Sequence, residues 1–183
     1  LVTMFYKKCH PKIINIPTNG MLWQNIVKKA PQIAQNCPNA DVVVNLSLDQ
    51  CGIKHEQIRG VPKNWELSMN AWVGLKQAKK KLKLKNLTLG IHSVISNFNV
   101  KDFPVFHKDL LKLEPDSYIT EIAEERVELD TKGTGITPDF DHYSVAIDSL
   151  LEDMQKMFDD KKYKGVAKVA AAGGSAGSIC LFG

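Results

Sequence analysis

Short apolar runs alternate with amphipathic helical patterns along the chain. Four of the runs are rich in β-branched residues and have the length of single strands, at residues 12–17, 41–48, 87–96 and 117–123. Between the runs, apolar residues recur every three or four positions, which is the spacing of one helix face. No hairpin turn sequence joins two runs directly. The order β-α-β-α-β-α-β-α therefore predicts an α/β fold with a parallel sheet and right-handed crossovers.

The run DVVVNLSL, residues 41–48, is almost continuously apolar, as expected for a strand covered on both faces of a parallel sheet. A closed barrel, a partial barrel and a doubly wound sheet all fit this order of elements. In each of them, ligands bind beyond the carboxyl ends of the strands. We therefore expect the segments that follow the four strands to share one rim. These segments are TNG at 18–20, SLDQ at 47–50, SNFN at 96–99 and TEIAEER at 120–126.

Capping residues predict where two of the helices begin. Asn64 stands at the start of an apolar helical pattern and is expected to be its N-cap. Thr137 is the expected N-cap of a second helix, with Pro138 in the first position and Asp139 near the positive helix end.

Composition and charge narrow the class of protein. The chain has 183 residues, of which 44% are apolar, and this is enough for one domain with a real core. The formal net charge of +4 comes from 24 Lys plus Arg against 20 Asp plus Glu. Six of the lysines fall in residues 76–85 without interleaved aromatics, which is typical of a solvated helix end. Charge therefore does not favour a nucleic-acid-binding protein.

The cysteines and the apolar runs indicate in which cellular compartment the protein is expected. Cys9, Cys37, Cys51 and Cys180 are too far apart for a metal-binding or haem spacing, so we expect free thiols in a reducing environment and no metal ligands. No apolar run has the length of a membrane span, and the first residues are too short for a signal peptide. The expected location is the cytoplasm.

Three polar residues at the second strand end are candidates for ligand binding. Ser47 and Asp49 alternate on one face of the strand and can hydrogen-bond a diol such as a ribose. The alternative, favoured by spacing alone, is a strand-end cap. Arg59 can clamp a carboxylate through two parallel hydrogen bonds, or it can form a weak surface ion pair with Glu56.

Glu121 follows the fourth strand, where a carboxylate inside the rim can act as an acid or base or orient a substrate. The start of an exposed acidic helix would have the same residues. His92, inside the third strand, is expected to be a hydrogen-bonded core histidine rather than a ligand.

Taken together, four segments resemble the radical S-adenosylmethionine enzymes, in particular those related to the SPASM-containing subgroup. The segments are IPTNGML at 16–22, VNLSLDQCGIKHEQIRGVPKNWE at 44–66, LGIHSVISNFN at 89–99 and PDSYITEIAEERVEL at 115–129. The resemblance implies a partial (β/α)6 barrel, related to the TIM barrel, that binds S-adenosylmethionine beside a [4Fe-4S] cluster. In such enzymes the reduced cluster cleaves the cofactor, and a 5′-deoxyadenosyl radical abstracts hydrogen from the substrate.

Position by position, the resemblance implies roles for the rim residues. Ser47 matches the serine of the family's S-[IL]-D-G segment, which binds the ribose hydroxyls, and Asp49 belongs to the same segment. Gln50 replaces the glycine that normally follows. Arg59 matches the arginine that meets the methionyl carboxylate. The strand end at Thr120 and Glu121 matches the region that flanks the adenine.

Two family motifs are absent from the sequence: CxxxCxxC, which ligates the cluster, and a GGEP-like segment. The resemblance therefore implies a fragment with about four βα units, residues 1–165, that lacks the first units of the core and is not catalytic alone. Residues 166–183, which include GGSAGS, are expected to be an irregular or artefactual tail. The strand at 12–17 would form an unpaired edge, with poor solubility or partner-dependent folding as the result. A partner or a missing segment would complete the barrel.

Two other functions stay open, and no substrate is specified. One is a stand-alone α/β module that binds a nucleoside or a partner without catalysis. The other is an unrelated barrel lyase or aldolase that uses Glu121 with a lysine, although no lysine stands at a predicted strand end to form a Schiff base.

Overall fold

The computed structural model describes residues 1–159, 170–171 and 179–182. Its helices are α1 (Val2–Cys9), α2 (Trp23–Asn36), α3 (Gly52–Arg59), α4 (Asn64–Leu82), α5 (Phe103–Leu111) and α6 (Phe140–Asp159). Its strands are β1 (Ile13–Thr18), β2 (Asp41–Ser47), β3 (Leu87–Ile95), β4 (Ser117–Ile122), β5 (Ala170–Ala171) and β6 (Ile179–Phe182). Short 3-10 helices span Val100–Asp102 and Val127–Leu129.

The strands form one sheet in the order β1-β2-β3-β4-β6-β5. The first four strands pair in parallel and lie in chain order. A doubly wound sheet would reverse the strand order partway, whereas a β/α barrel keeps it. The predicted α/β class with alternating strands and helices is confirmed, and the four βα units have the order of a partial barrel.

The four parallel strands begin and end within one residue of their predicted bounds. Their β-branched runs determine these bounds because such residues fit a pleated, buried surface. The predicted edge is also confirmed: β1 is the first strand of the sheet and pairs only with β2 among the described residues. Ile13, its first residue, is 63% exposed.

Both predicted helix caps are wrong. Asn64 is the first residue of α4 and does not cap it, because its side-chain oxygen lies 2.6 Å from His55 Nε2. Helix α6 begins at Phe140, three residues after Thr137. Its cap is Asp139, whose Oδ1 accepts a hydrogen bond of 3.0 Å from the backbone N–H of His142. The carboxylate therefore satisfies a free N–H of the first turn, which is what an N-cap does.

The carboxyl-terminal strands were not predicted. β6 pairs antiparallel with β4, and β5 pairs antiparallel with β6. These strands lie within residues 166–183, which were expected to be irregular. The glycine-rich GGSAGS segment and the predicted boundary at residue 165 lie outside the described residues.

One face of the parallel sheet packs against the helices. Val42, Val44 and Leu46 from β2 join Trp72 and Leu75 from α4 in the core. Leu87, Leu89 and Ile91 continue the same layer on β3, and Tyr118 continues it on β4. Since side chains alternate along a strand, the residues between these positions lie on the opposite face.

That opposite face is the polar face of the sheet. It carries Asn15, Asn45, Ser47, Gly90, His92, Ser117 and Glu121. Among the described residues, no helix has both the length and the apolar character needed to cross a bilayer.

Candidate functional site

The first rim loop follows β1 and is fixed to helix α4. Gly20 has φ +75°, and its backbone N–H donates a 3.2 Å hydrogen bond to Thr18 Oγ1. A Cβ at Gly20 would lie only 2.7 Å from the Cα of Ser68, so this turn requires glycine both for its conformation and for its close approach. Ser68 Oγ donates to the Asn19 carbonyl at 3.0 Å. The loop is therefore held against α4, which is the second helix after β2.

Asp49 connects the second rim loop to the neighbouring strand and helix. Its side chain is buried, and Oδ1 accepts a 2.9 Å hydrogen bond from the N–H of Val94. Oδ2 lies 2.7 Å from Arg59 Nε. Both carboxylate oxygens thus have partners within the protein. The strand-end cap considered from the sequence describes Asp49, since its carboxylate satisfies a backbone N–H of β3.

Arg59 is the last residue of α3, and its side chain is 29% exposed. Its ion-pair partner is Asp49 and not Glu56, the surface partner considered from the sequence. The Nε–H is not aligned with the carboxylate oxygen, so Nε is buried without a hydrogen bond. Among the described residues, the two Nη atoms of Arg59 also have no hydrogen-bond partner. The outer edge of the guanidinium is therefore available to a ligand.

Ser47 ends β2 on the polar face, where it is half-buried and pairs in register with His92 of β3. Its hydroxyl makes no hydrogen bond to any of the described residues. The cap interpretation therefore does not describe Ser47, although it does describe Asp49. A free hydroxyl at a strand end can donate to, and accept from, a bound molecule.

Thr120 and Glu121 are adjacent on β4 and lie on opposite faces of the sheet. Thr120 is buried on the helix side, and its Oγ1 has no hydrogen-bond partner in the part of the chain that the structure describes. Glu121 lies on the polar face, where its Oε2 is 3.4 Å from His92 Nε2. The structure therefore places the side chain of Glu121, but not that of Thr120, on the same face as Ser47.

His92 was expected to be a hydrogen-bonded core residue, and this expectation is wrong. Its side chain is 23% exposed on the polar face, within ion-pair distance of Glu121. Side chains alternate along a strand, and Leu89 and Ile91 point into the core. His92 directly follows Ile91, so its side chain lies on the opposite face.

His55, four residues before Arg59 on α3, has a structural role in the rim. Its ring is fully buried, Nδ1 accepts a 3.2 Å hydrogen bond from the N–H of Asp49, and Nε2 lies 2.6 Å from Asn64 Oδ1. Since the amide oxygen can only accept, Nε2 carries the proton and the ring is neutral. Burial lowers the pKa of His55 and outweighs the opposing effect of the Asn64 hydrogen bond.

Asn99 lies in the SNFN segment that was expected to line the rim, but its structural role was not predicted. It is buried, and its Nδ2 donates to the carbonyls of Asp49 and Val94, both at 2.8 Å. Its Oδ1 accepts from the N–H of Ser96 at 2.7 Å. The available signal was an Asn in the loop after β3, a residue type whose side chain commonly bonds nearby backbone. Asn99 holds the second and third strand ends together.

Three cysteines have described side chains, and these three do not form a cluster site. Cys9 is exposed, Cys37 is buried and Cys51 is half-buried, and all three thiols are free. Burial, and then the charge of Asp109, raise the pKa of Cys51 to about 11, so its thiol is protonated at neutral pH. Within the described ranges, no three His, Cys, Asp or Glu side chains converge as metal ligands. These residues therefore do not fit a [4Fe-4S] cluster, which needs cysteine thiolates.

The fold and rim place the chain in the class of α/β proteins with a barrel-type parallel sheet. No protein-family model matches the chain, and no curated protein matches it. A more specific function therefore rests on the residues of the rim.

Proposed function

We propose that this chain is part of a radical S-adenosylmethionine enzyme core and that its rim binds S-adenosylmethionine. Ser47 would contact the ribose hydroxyls, and Arg59 would meet the methionyl carboxylate. The observation that carries the proposal is the pairing of Asp49 with Arg59 at Nε, because it leaves the outer guanidinium edge unpaired at the strand ends. A guanidinium edge matches a carboxylate through two parallel hydrogen bonds.

The remaining contacts follow from the faces of β4. Glu121 shares the polar face with Ser47, and we assign it to the adenine side of the site. The side chain of Thr120 lies on the helix side, so Thr120 would contribute through its backbone. Asp49 and His55 would not touch the ligand: Asp49 orients Arg59, and His55 holds the backbone of Asp49.

S-adenosylmethionine supplies radical chemistry when it is bound beside a reduced [4Fe-4S] cluster. The described residues do not fit such a cluster. We therefore assign cofactor binding to this chain and no catalytic step.

Calorimetric titration of the purified chain tests the proposal. The ligands are S-adenosylmethionine and 5′-methylthioadenosine, which keeps the nucleoside and lacks the methionyl carboxylate. Arg59→Lys keeps the charge beside Asp49 and loses the paired donor edge, so we expect about tenfold weaker binding of S-adenosylmethionine. Binding of 5′-methylthioadenosine should not change. Ser47→Ala should weaken both ligands about two- to tenfold.

Arg126→Lys is the matched control, because Arg126 is the other arginine of the chain and also lies in a rim segment, but its exposed side chain pairs only with Glu124 among the described residues. It should leave both affinities unchanged. The proposal fails if saturating S-adenosylmethionine gives neither heat nor a thermal shift. It also fails if Arg59→Lys weakens the two ligands equally.

The second candidate is a nucleoside- or partner-binding module without catalysis. The absence of a converging metal-ligand group from the described residues favours it. In the same titration, this function predicts that 5′-methylthioadenosine binds as tightly as S-adenosylmethionine and that Arg59→Lys has no effect on either ligand.

A further inference from the structure

Among the described residues, three buried polar atoms on the polar face lack hydrogen-bond partners, and one of them, His92 Nε2, lies 3.4 Å from the Glu121 carboxylate. The other two are Asn45 Oδ1 on β2 and Ser117 Oγ on β4, in residues that are 6% and 3% exposed. A buried polar group without a partner destabilises a fold, so such groups are rare in native proteins. Two of them on one face therefore indicate a site where another molecule supplies the partners.

Gly90 of β3 lies between these two residues. Asn45 pairs in register with Gly90, and Gly90 pairs in register with Ser117. A Cβ at Gly90 would overlap Asn45 Oδ1 and would lie 2.5 Å from Ser117 Oγ. Both side chains therefore lean over the glycine from either side. No hydrogen bond joins them in the structure, although they converge on the same space.

Asn15 determines which atom of the Asn45 amide is unsatisfied. Asn45 Nδ2 donates a 3.0 Å hydrogen bond to Asn15 Oδ1 on β1. The Asn45 amide thus donates toward β1, and its oxygen lacks a donor on the side of Gly90. A ligand amide placed there would be the third amide in the hydrogen-bonded chain that starts at Asn15 and Asn45. Hydrogen-bonded amides in such a chain polarise one another favourably.

The side chains in register with this pair are uncharged, and the nearest titratable group on the same face, His92, lies two residues beyond Gly90 and faces Glu121. Pro17 is in register with Asn45, and Val43 is in register with Asn15 and with Thr88. Ile119 is the next polar-face residue after Ser117 on β4. A charged ligand would lose its hydration here without gaining a counter-charge. An amide offers an N–H for Asn45 Oδ1 and a carbonyl that can accept from the Ser117 hydroxyl.

We propose that Asn45 and Ser117, converging over Gly90, bind a neutral carboxamide group of a ligand. The site lies on the polar face, separate from the side chains of Asp49 and Arg59. The proposal goes beyond the cofactor-binding function and does not rest on it.

Three probes of four non-hydrogen atoms each test the proposal by NMR on the ¹⁵N-labelled full chain. Acetamide has both the N–H and the carbonyl, acetone lacks the N–H, and acetate lacks it and carries a charge. We expect acetamide to give saturable shifts of the Gly90 backbone amide and the Asn45 side-chain amide. Acetone and acetate should bind at least several-fold more weakly. No S-adenosylmethionine is present, so the outcome is independent of the cofactor titration.

Ser117→Ala separates a binding role from a structural one. Removing a buried hydroxyl without a partner should raise the Tm of the free protein and weaken acetamide about two- to tenfold. Ser144→Ala, a serine-to-alanine change on α6, should leave acetamide affinity unchanged. Gly90→Ala should abolish acetamide binding, because its Cβ would displace the Asn45 and Ser117 side chains. Ser117→Ala decides the question if the Gly90 variant does not fold.

The proposal is overturned by any of three results. The first is the absence of a saturable acetamide shift at the two named amides. The second is equal binding of acetone and acetamide. The third is a Ser117→Ala variant with lowered Tm and unchanged acetamide affinity, since that would make the hydroxyl a structural group.

Discussion

Asp49 contacts three parts of the rim: strand β3, helix α3 and the loop after β3. Its carboxylate binds the N–H of Val94 on β3 and pairs with Arg59 on α3, while its backbone carbonyl accepts from Asn99. A buried carboxylate is stable only when its oxygens have such partners. The same contacts orient the guanidinium of Arg59 toward the strand ends. A stabilising interaction and a candidate binding geometry therefore depend on a single side chain.

His55 makes folding stability depend on pH near neutrality. Burial lowers its pKa in the folded protein, so the unfolded chain binds the proton more readily. The unfolded chain takes up this proton as the pH falls below about 6.5, and folding stability decreases over that range. Between pH 7.5 and 5.5 we expect a loss of at most about 1.4 kcal/mol from this group. Urea unfolding at the two pH values measures it.

His55→Gln removes the titrating ring and should reduce the difference in unfolding free energy between the two pH values. His10→Gln is the control, because His10 is exposed and its side chain makes no hydrogen bond or ion pair with the described residues. It should leave the pH dependence unchanged. An unchanged pH dependence in His55→Gln would contradict the assignment of a neutral, buried imidazole.

The four parallel strands were predicted well because a local pattern determines them, whereas the helix starts depend on contacts outside the local sequence. Asn64 has the residue type of a cap, but His55 takes its side-chain oxygen. Thr137 and Asp139 are both good caps, and only the geometry of the first turn selects Asp139. The sequence pattern alone cannot decide which of two suitable capping residues, two positions apart, begins the helix.

The candidate site residues were singled out from the sequence in part for the same reason. Ser47 was chosen because a polar residue at a strand end stands out from an apolar run, and Arg59 because a guanidinium can clamp a carboxylate. The Asp49–Arg59 pair was not, because it depends on how α3 returns to the sheet. The convergence of Asn45, Gly90 and Ser117 depends on the register of three strands, which no single segment specifies.

The start of helix α6 can be tested directly. Asp139→Ala removes the side chain that bonds the N–H of His142 and should destabilise the protein by about 1 kcal/mol. Thr137→Ala should change the free energy of unfolding by less than about 0.5 kcal/mol, because Thr137 lies outside the helix. Urea denaturation of the two variants measures the difference. A larger effect at Thr137 than at Asp139 would place the cap where the sequence suggested.

The two faces of the sheet divide the molecule into a part that folds it and a part available for binding. The helix face buries the aliphatic core, and the hydrophobic effect of that burial drives folding. The polar face adds little to the core and presents hydroxyl, amide, imidazole and carboxylate groups instead. Both proposed sites lie on or beside this face, because a sheet covered by helices on one side leaves only the other side for ligands.

We expect copies of the molecule to associate through the edge strand β1. Among the described residues, its outer backbone groups face no other strand, and Ile13 is 63% exposed. Exposed edges with apolar side chains promote strand-to-strand association, and a lysine on the edge opposes it.

Ile13→Lys should therefore lower concentration-dependent association, measured by sedimentation velocity across a concentration series. Val145→Lys, at a 61% exposed residue of α6, adds the same charge away from the edge and should have no such effect. Because both residues are exposed, each variant should change stability by less than about 0.5 kcal/mol. Equal association of the two variants would mean that net charge, and not the free edge of β1, controls it.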